Sequence, residues 1–432
     1  MNVFLKNLQV VLLLGSIMLF PSFILGAMSS GKTIELRIED FLLVFFGLAG
    51  LIYFLVSGKF KIKKPPFFVP ILVWMLSQFF GVLLNILFGN LIFADRAWFY
   101  FFKEVEIAFL YFFVFYNLES IKSVKIVTRF ILLFTTFNVA YVFYQIISHK
   151  EMGEYKGITT AALCEYGIFP TGAFFVLLFI FLTIFSIFYY NNTGNKLWKK
   201  ILVSLVAVSP VVGVFGSGSK TDFMALFVSS IFIFLMFFFG RRVPIKKIIF
   251  TTFFAIIIFS VFFMYSAANI ELATQRITDI FGFDKLFSSY KADRLSYLGP
   301  DLKSIIYKFG QQPLFILFGF GVGYITEAHN QFLRNFSEIG IIGSVAFLGM
   351  IYFMLKMGLT VFLRNKDAFS ATAGASIFVL TLAMMVFSFA SDPFFSVKTA
   401  TTYWFFMAIN AAVLSVAEDK KDALIMSSDM IR

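Results

Sequence analysis

The sequence predicts an all-α integral membrane protein of about 12 transmembrane helices, with one large outer loop containing short amphipathic helices. Three observations carry the prediction. Of the 432 residues 60% are hydrophobic and only 14% charged, with 66 Phe and a mean hydropathy of +0.89. The apolar residues fall into runs of about 20, the length that crosses a hydrocarbon core. Basic residues collect in alternate connections between those runs.

The first predicted span, 7–28, follows Lys6 and resembles a signal peptide, but its run of about 22 apolar residues exceeds an h-region of ~7–15. It is read as a span. Spans 39–57, 67–88, 97–117, 128–148 and 168–190 complete the first part of the chain, 1–199. The fourth holds Lys103, Glu104 and Glu106 within "WFYFFKEVEIAFLYFF". Intramembrane charges are costly and often functional. Their place near the outer end, beside Trp98 and Tyr100, equally fits interfacial anchoring with a local Lys–Glu pair.

The second part, 200–266, contains spans 200–216, 221–240 and 248–266, and between the first two lies "GSGSKTDF". This stretch is not a phosphate-binding P-loop, because Val214 and Ser219 stand where that motif needs glycine. It still has the ingredients to hold an anion: glycines, the hydroxyls of Ser217, Ser219 and Thr221, a helix N-terminus and the charge of Lys220. A capped hairpin with a snorkelling lysine is the plainer alternative.

Residues 267–328 form the one long loop, and loops of that length in a compact protein usually carry function. Leu302, Ile305, Ile306 and Phe309 fall at helical spacing after Pro300, which predicts a short helix on the membrane surface. "GFGVG" at 319–323 predicts a turn. The last part, 329–432, holds spans 332–355, 371–390 and 400–416 and a tail; Asp392-Pro393 reads as a turn. If the tenth helix begins near His329, then 329, 333, 336, 340 and 343 lie within about 40° of one another. Gly340 and Gly343 would then let a neighbouring helix pack close. Glu338 falls on the opposite side from His329, while Arg334 and Glu338 would line the same cavity. For His329, a structural place and a proton-exchanging role stand side by side.

The inner connections carry seventeen basic residues against seven in the short outer turns, which predicts both termini in the cytoplasm. That distribution accounts for the net charge of +12 through lipid headgroups, and no basic soluble face points to nucleic acid. A single cysteine, Cys164, and two histidines make no thiolate or histidine-rich metal site. No metal and no cofactor are expected.

His329-Asn330, nine residues, then Gly340-Ile341-Ile342-Gly343 resembles the H-N-x9-G-x-x-G signature of the O-antigen ligase and O-antigen polymerase superfamily. The twelve-span layout with its main periplasmic loop between spans nine and ten is similar to that family, as is "DRLSYLGPDLKSIIYKFGQQPLFILFGFGVG". The likeness covers about residues 200–360, and the first half only in general hydrophobic character.

The resemblance implies a glycosyltransferase of the bacterial inner membrane, active on the periplasmic face in lipopolysaccharide or other surface polysaccharide biosynthesis. Its donor would be an undecaprenyl-pyrophosphate-linked glycan. Its acceptor would be a sugar hydroxyl, on lipid A–core for a ligase or on a second lipid-linked glycan for a polymerase. By the resemblance, Lys220 and Arg294 would face the pyrophosphate and His329 the reacting sugar, with Ser219, Asn330, Arg334 and Glu338 binding substrate. The family's usual Ser-Arg is here Ser219-Lys220, which keeps the charge and loses the planar fork. A lipid-linked glycan flippase or secondary transporter is the rival class, but such folds are built from repeats, and this chain gathers its features in one asymmetric loop.

Overall fold

The computed structural model describes residues 3–28, 33–57, 64–88, 94–148, 162–164, 168–189, 197–240, 303, 305–324 and 330–429. The chain is an all-α integral membrane protein. Among the described residues, eight helices are long and apolar enough to cross a membrane. The predicted span 248–266 and most of the long loop lie outside the described residues, and each other predicted span except 7–28 and 200–216 largely coincides with one helix.

The helices are α1 (Val3–Leu19), α2 (Ile38–Ser57), α3 (Phe68–Leu87), α4 (Ala94–Asn117), α5 (Ile121–Ser148) and α6 (Ile168–Tyr189). They continue as α7 (Leu197–Val208), α8 (Pro210–Ser217), α9 (Lys220–Phe239), α10 (Leu314–Phe318), α11 (Gln331–Arg364), α12 (Ala368–Ser388) and α13 (Val397–Asp429).

Several boundaries differ from the sequence reading for local reasons. α1 stops at Leu19 because Pro21 cannot continue it. The chain then forms an antiparallel hairpin, β1 (Phe23–Ala27) with β2 (Thr33–Leu36), which the sequence reading did not foresee. Predicted span 200–216 is two helices: Pro210 has no N–H to donate, so α7 closes at Val208 and α8 starts afresh with the proline in its first turn.

Burial separates centre from periphery. The spans Pro170–Ile187, Val397–Glu418 and Ala368–Ser388 are 89%, 83% and 72% buried inside the protein, whereas Phe68–Leu87 is only 33% buried and leaves the rest of its apolar surface for lipid. α6, α12 and α13 therefore form the core, around Tyr403, Trp404, Phe174 and Phe387. α11 packs on α12 where Gly358 meets Gly374: a Cβ on either would come within 2.8 Å of the other's carbonyl oxygen, so the two backbones touch.

Contacts also sort the helix ends. At one end Lys6 pairs with Glu119, Lys125 lies over Phe369, and Phe237 packs on Phe362. The opposite end gathers the starts of α2, α4, α9, α11 and α13 and carries the candidate site.

Candidate functional site

The site grows from the first turns of α11. Asn330 takes an extended backbone (φ −154°, ψ 118°) and its Oδ1 accepts from the Leu333 N–H at 3.0 Å, which satisfies one of the helix's free donors. A second donor, Gln331 N–H, reaches the Ser391 carbonyl at 3.0 Å. Asn330 Nδ2 donates to Phe389 O at 3.2 Å, and Gln331 Oε1 accepts from Phe394 N–H at 3.2 Å. The turn between α12 and α13 is thus stitched to the start of α11 by three hydrogen bonds of backbone and amide.

One turn further along, Arg334 is 4% exposed and fully committed to protein partners. Its Nε donates to Glu338 Oε2 at 3.2 Å, one helical turn away, and its Nη1 pairs with Asp392 in the stitched turn. The guanidinium lies 3.7 Å from the Phe395 ring centroid and 5.8 Å from that of Tyr100 on α4. Two carboxylates, Glu338 and Asp392, thus share one guanidinium, and Glu104 on α4 is buried as well. This cluster fixes α4, α11 and the α12–α13 turn to one another.

α11 does not continue straight from there. At Gly340 the backbone takes φ 64°, ψ −165°, which ends the 331–339 half-helix and restarts the helix beyond it. The carbonyls that the break releases are used: Phe320 N–H donates to Ser337 O at 2.8 Å and Gly321 N–H to Glu338 O at 2.9 Å. The 319–321 backbone is therefore inserted into the helix. A Cβ at Gly340 would collide with Leu317 O and Gly319 N, and one at Gly319 with the Glu338 carbonyl, so neither position accepts a side chain. The stripe expected from 329 to 343 is interrupted here. Gly340 admits loop backbone where a neighbouring helix was expected, and Gly343 faces the side chain of Ile339 one turn before it.

Loop and half-helix share a hydrophobic cluster of their own. Ile305, Phe309, Phe315 and Phe320 pack with Leu333 and Phe336, and the Phe309 ring lies 4.9 Å from Phe320 and 5.3 Å from Phe336. The surface helix predicted from Leu302, Ile305, Ile306 and Phe309 is helical over 305–311, with Ile305 and Phe309 inward and Ile306 and Tyr307 exposed. Leu302 lies outside the described residues.

Ser219 and Lys220 stand in a second turn. Ser219 (φ −80°, ψ 120°) is the N-cap of α9, with its hydroxyl accepting from Asp222 N–H at 3.4 Å, and Lys220 is the first helical residue. Asp222 is buried, and its carboxylate lies so close to Gly172 on α6 that a Cβ there would collide with it. His329 and Arg294 lie outside the described residues.

A second charged network occupies the same end. Arg37 and Lys398 approach Glu39 at 3.7 and 3.8 Å, while Lys103 pairs with Asp40 and, at 3.0 Å, with Glu106. Lys103 thereby joins α4 to α2, and the Lys–Glu pair foreseen within α4 is its Glu106 branch. Arg37, Glu39, Asp40, Lys103 and Lys398 are all buried. Among the described residues no group of three His, Cys, Asp or Glu side chains is placed to hold a metal ion.

The structure thus brings Asn330, Arg334, Glu338 and Gly340 into one arrangement. Sequence reasoning missed Asp392, Gln331, Tyr100 and Phe395 as members, and also Asn85, whose amide reaches Gly319 from α3. An asparagine one turn after a glycine inside an apolar span was the available signal for Asn85. No family model matches this chain, and no curated protein matches it either.

Proposed function

We propose that this protein is a metal-independent membrane glycosyltransferase of the O-antigen ligase type, acting at the periplasmic face of the bacterial inner membrane. It moves a glycan from undecaprenyl pyrophosphate to a sugar hydroxyl of lipid A–core. The observation that carries the reading lies in the H-N-x9-G-x-x-G segment: its asparagine, Asn330, caps α11, and the first glycine of its G-x-x-G, Gly340, is the break of the helix.

The chemistry asks little else of the protein. The acceptor oxygen attacks the anomeric carbon, the bond to the pyrophosphate oxygen breaks, and negative charge grows on the leaving group. Fixed cations stabilise that charge more in the transition state than in the ground state. Lys220 at the start of α9 and Arg294 are assigned that role, and His329 takes the acceptor proton or orients the acceptor. Arg334 is assigned a holding role, since Glu338 and Asp392 already engage it.

A polymerase would use the same donor and differ only in its acceptor, a second lipid-linked glycan. Deleting the gene and running gels of lipopolysaccharide and of undecaprenyl-linked glycan separates the two. Long polymer left on the carrier, with bare lipid A–core, is the ligase result; lipid A–core bearing a single repeat unit is the polymerase result. Unchanged glycan in both gels would remove the transferase reading.

A further inference from the structure

Asn85 lies on α3, one turn after Gly81, and is completely buried. Its Nδ2 donates to Gly81 O within its own helix at 2.7 Å and to Gly319 O at 2.9 Å. Its Oδ1 has no hydrogen-bond partner among the described residues. A half-satisfied amide in an apolar helix is a net cost unless the bond it does make matters.

Gly81 contributes by lacking a side chain. A Cβ there would come within 3.0 Å of Phe318 O and 3.5 Å of Glu338 O, so α3 touches the inserted backbone and the broken helix at once. The 319–321 backbone is consequently held from two directions. The carbonyls of Ser337 and Glu338 accept from the N–H groups of Phe320 and Gly321, and the Asn85 amide donates to the carbonyl of Gly319. Without Asn85, that carbonyl would be left buried against an apolar span, and the cheapest relief is for the strand to back out of the break.

We propose that Asn85 is a positioning residue for the transferase site: acting through Gly319 and the break at Gly340, it sets the placement of the 331–339 half-helix and hence of Asn330, Arg334 and Glu338. It touches no substrate. The kinetic part of this proposal rests on the transferase reading; the structural part does not.

The test is hydrogen exchange by mass spectrometry on the full chain in nanodiscs, for wild type, Asn85→Leu and Asn85→Ala, alongside transfer kinetics with lipid-linked glycan. Peptides covering 319–324 and 335–341 are expected to exchange about tenfold faster in both variants, with α12 and α13 unchanged. The kcat of transfer is expected to fall about tenfold or more while KM for the donor stays within about twofold. Asn85→Ala removes the donor without adding bulk or charge, so it carries the test if Asn85→Leu does not fold. Unchanged exchange at 320–321, or a uniform rise across all helices, would overturn the proposal. If wild type transfers no glycan, the transferase reading falls, and the exchange data still decide whether Asn85 governs the break.

Discussion

Arg334 and Asp392, 58 residues apart in sequence, form an ion pair that joins the first turns of α11 to the connection between α12 and α13. The pair is mostly buried, and Glu338 adds a second carboxylate to the same guanidinium. Removing the cation would leave those groups uncompensated. Arg334→Ala is therefore expected to destabilise the protein by ~3–5 kcal/mol, read as a lower melting temperature in detergent. Arg334→Lys should recover only part of the loss, because an ammonium neither forks between two carboxylates nor stacks on Phe395.

Gly340 and Gly349 both lie in α11 and should respond oppositely. Gly340→Ala places a Cβ against Leu317 O and Gly319 N at a positive φ and should cost ~1–3 kcal/mol. Gly349 has open space around it, so Gly349→Ala should be neutral or gain up to ~1 kcal/mol from helix propensity. Thermal shifts of the two variants side by side check the contrast.

Lys103 bridges Asp40 on α2 and Glu106 on its own helix. Lys103→Met should lower stability clearly, and adding Asp40→Asn should restore part of it, since the second change removes a stranded charge. A double-mutant cycle with coupling of ~0.5–3 kcal/mol is the expected reading. Strict additivity would show that the pair contributes nothing.

Transfer itself tests the assigned residues. His329→Ala and Arg294→Ala should abolish it at unchanged protein level, whereas Lys220→Arg should retain it, because Arg keeps the charge and adds the planar fork. Chelators should have no effect. Normal transfer by purified His329→Ala protein would remove that residue from the mechanism.

The membrane fold was legible because the thickness of a bilayer sets the length of each apolar run, and that length survives in the sequence from α2 to α13. The β1–β2 hairpin was not legible, since its residues follow an apolar run directly and read as its continuation. Pro210 was a visible signal, but overall hydrophobicity outweighed it when the span was drawn. At the site, Asn330, Arg334 and Glu338 could be picked out from their places along one helix. Their partners could not: Asp392 looked like an ordinary turn residue, and the Asn85–Gly319 bond spans 234 positions that no periodicity connects.

The insertion at the break pairs residue 320 with 337 and 321 with 338, in steady register. Those two bonds tie the 319–321 backbone to the end of the 331–339 half-helix. Adding or deleting one residue between 331 and 337 would turn the carbonyls of 337 and 338 by about 100° relative to the Asn330 cap, whereas a change of length before the helical segment at 305–311 would leave both bonds in place. Natural variation in chain length is accordingly expected upstream of 305–311, and comparatively little within 331–339.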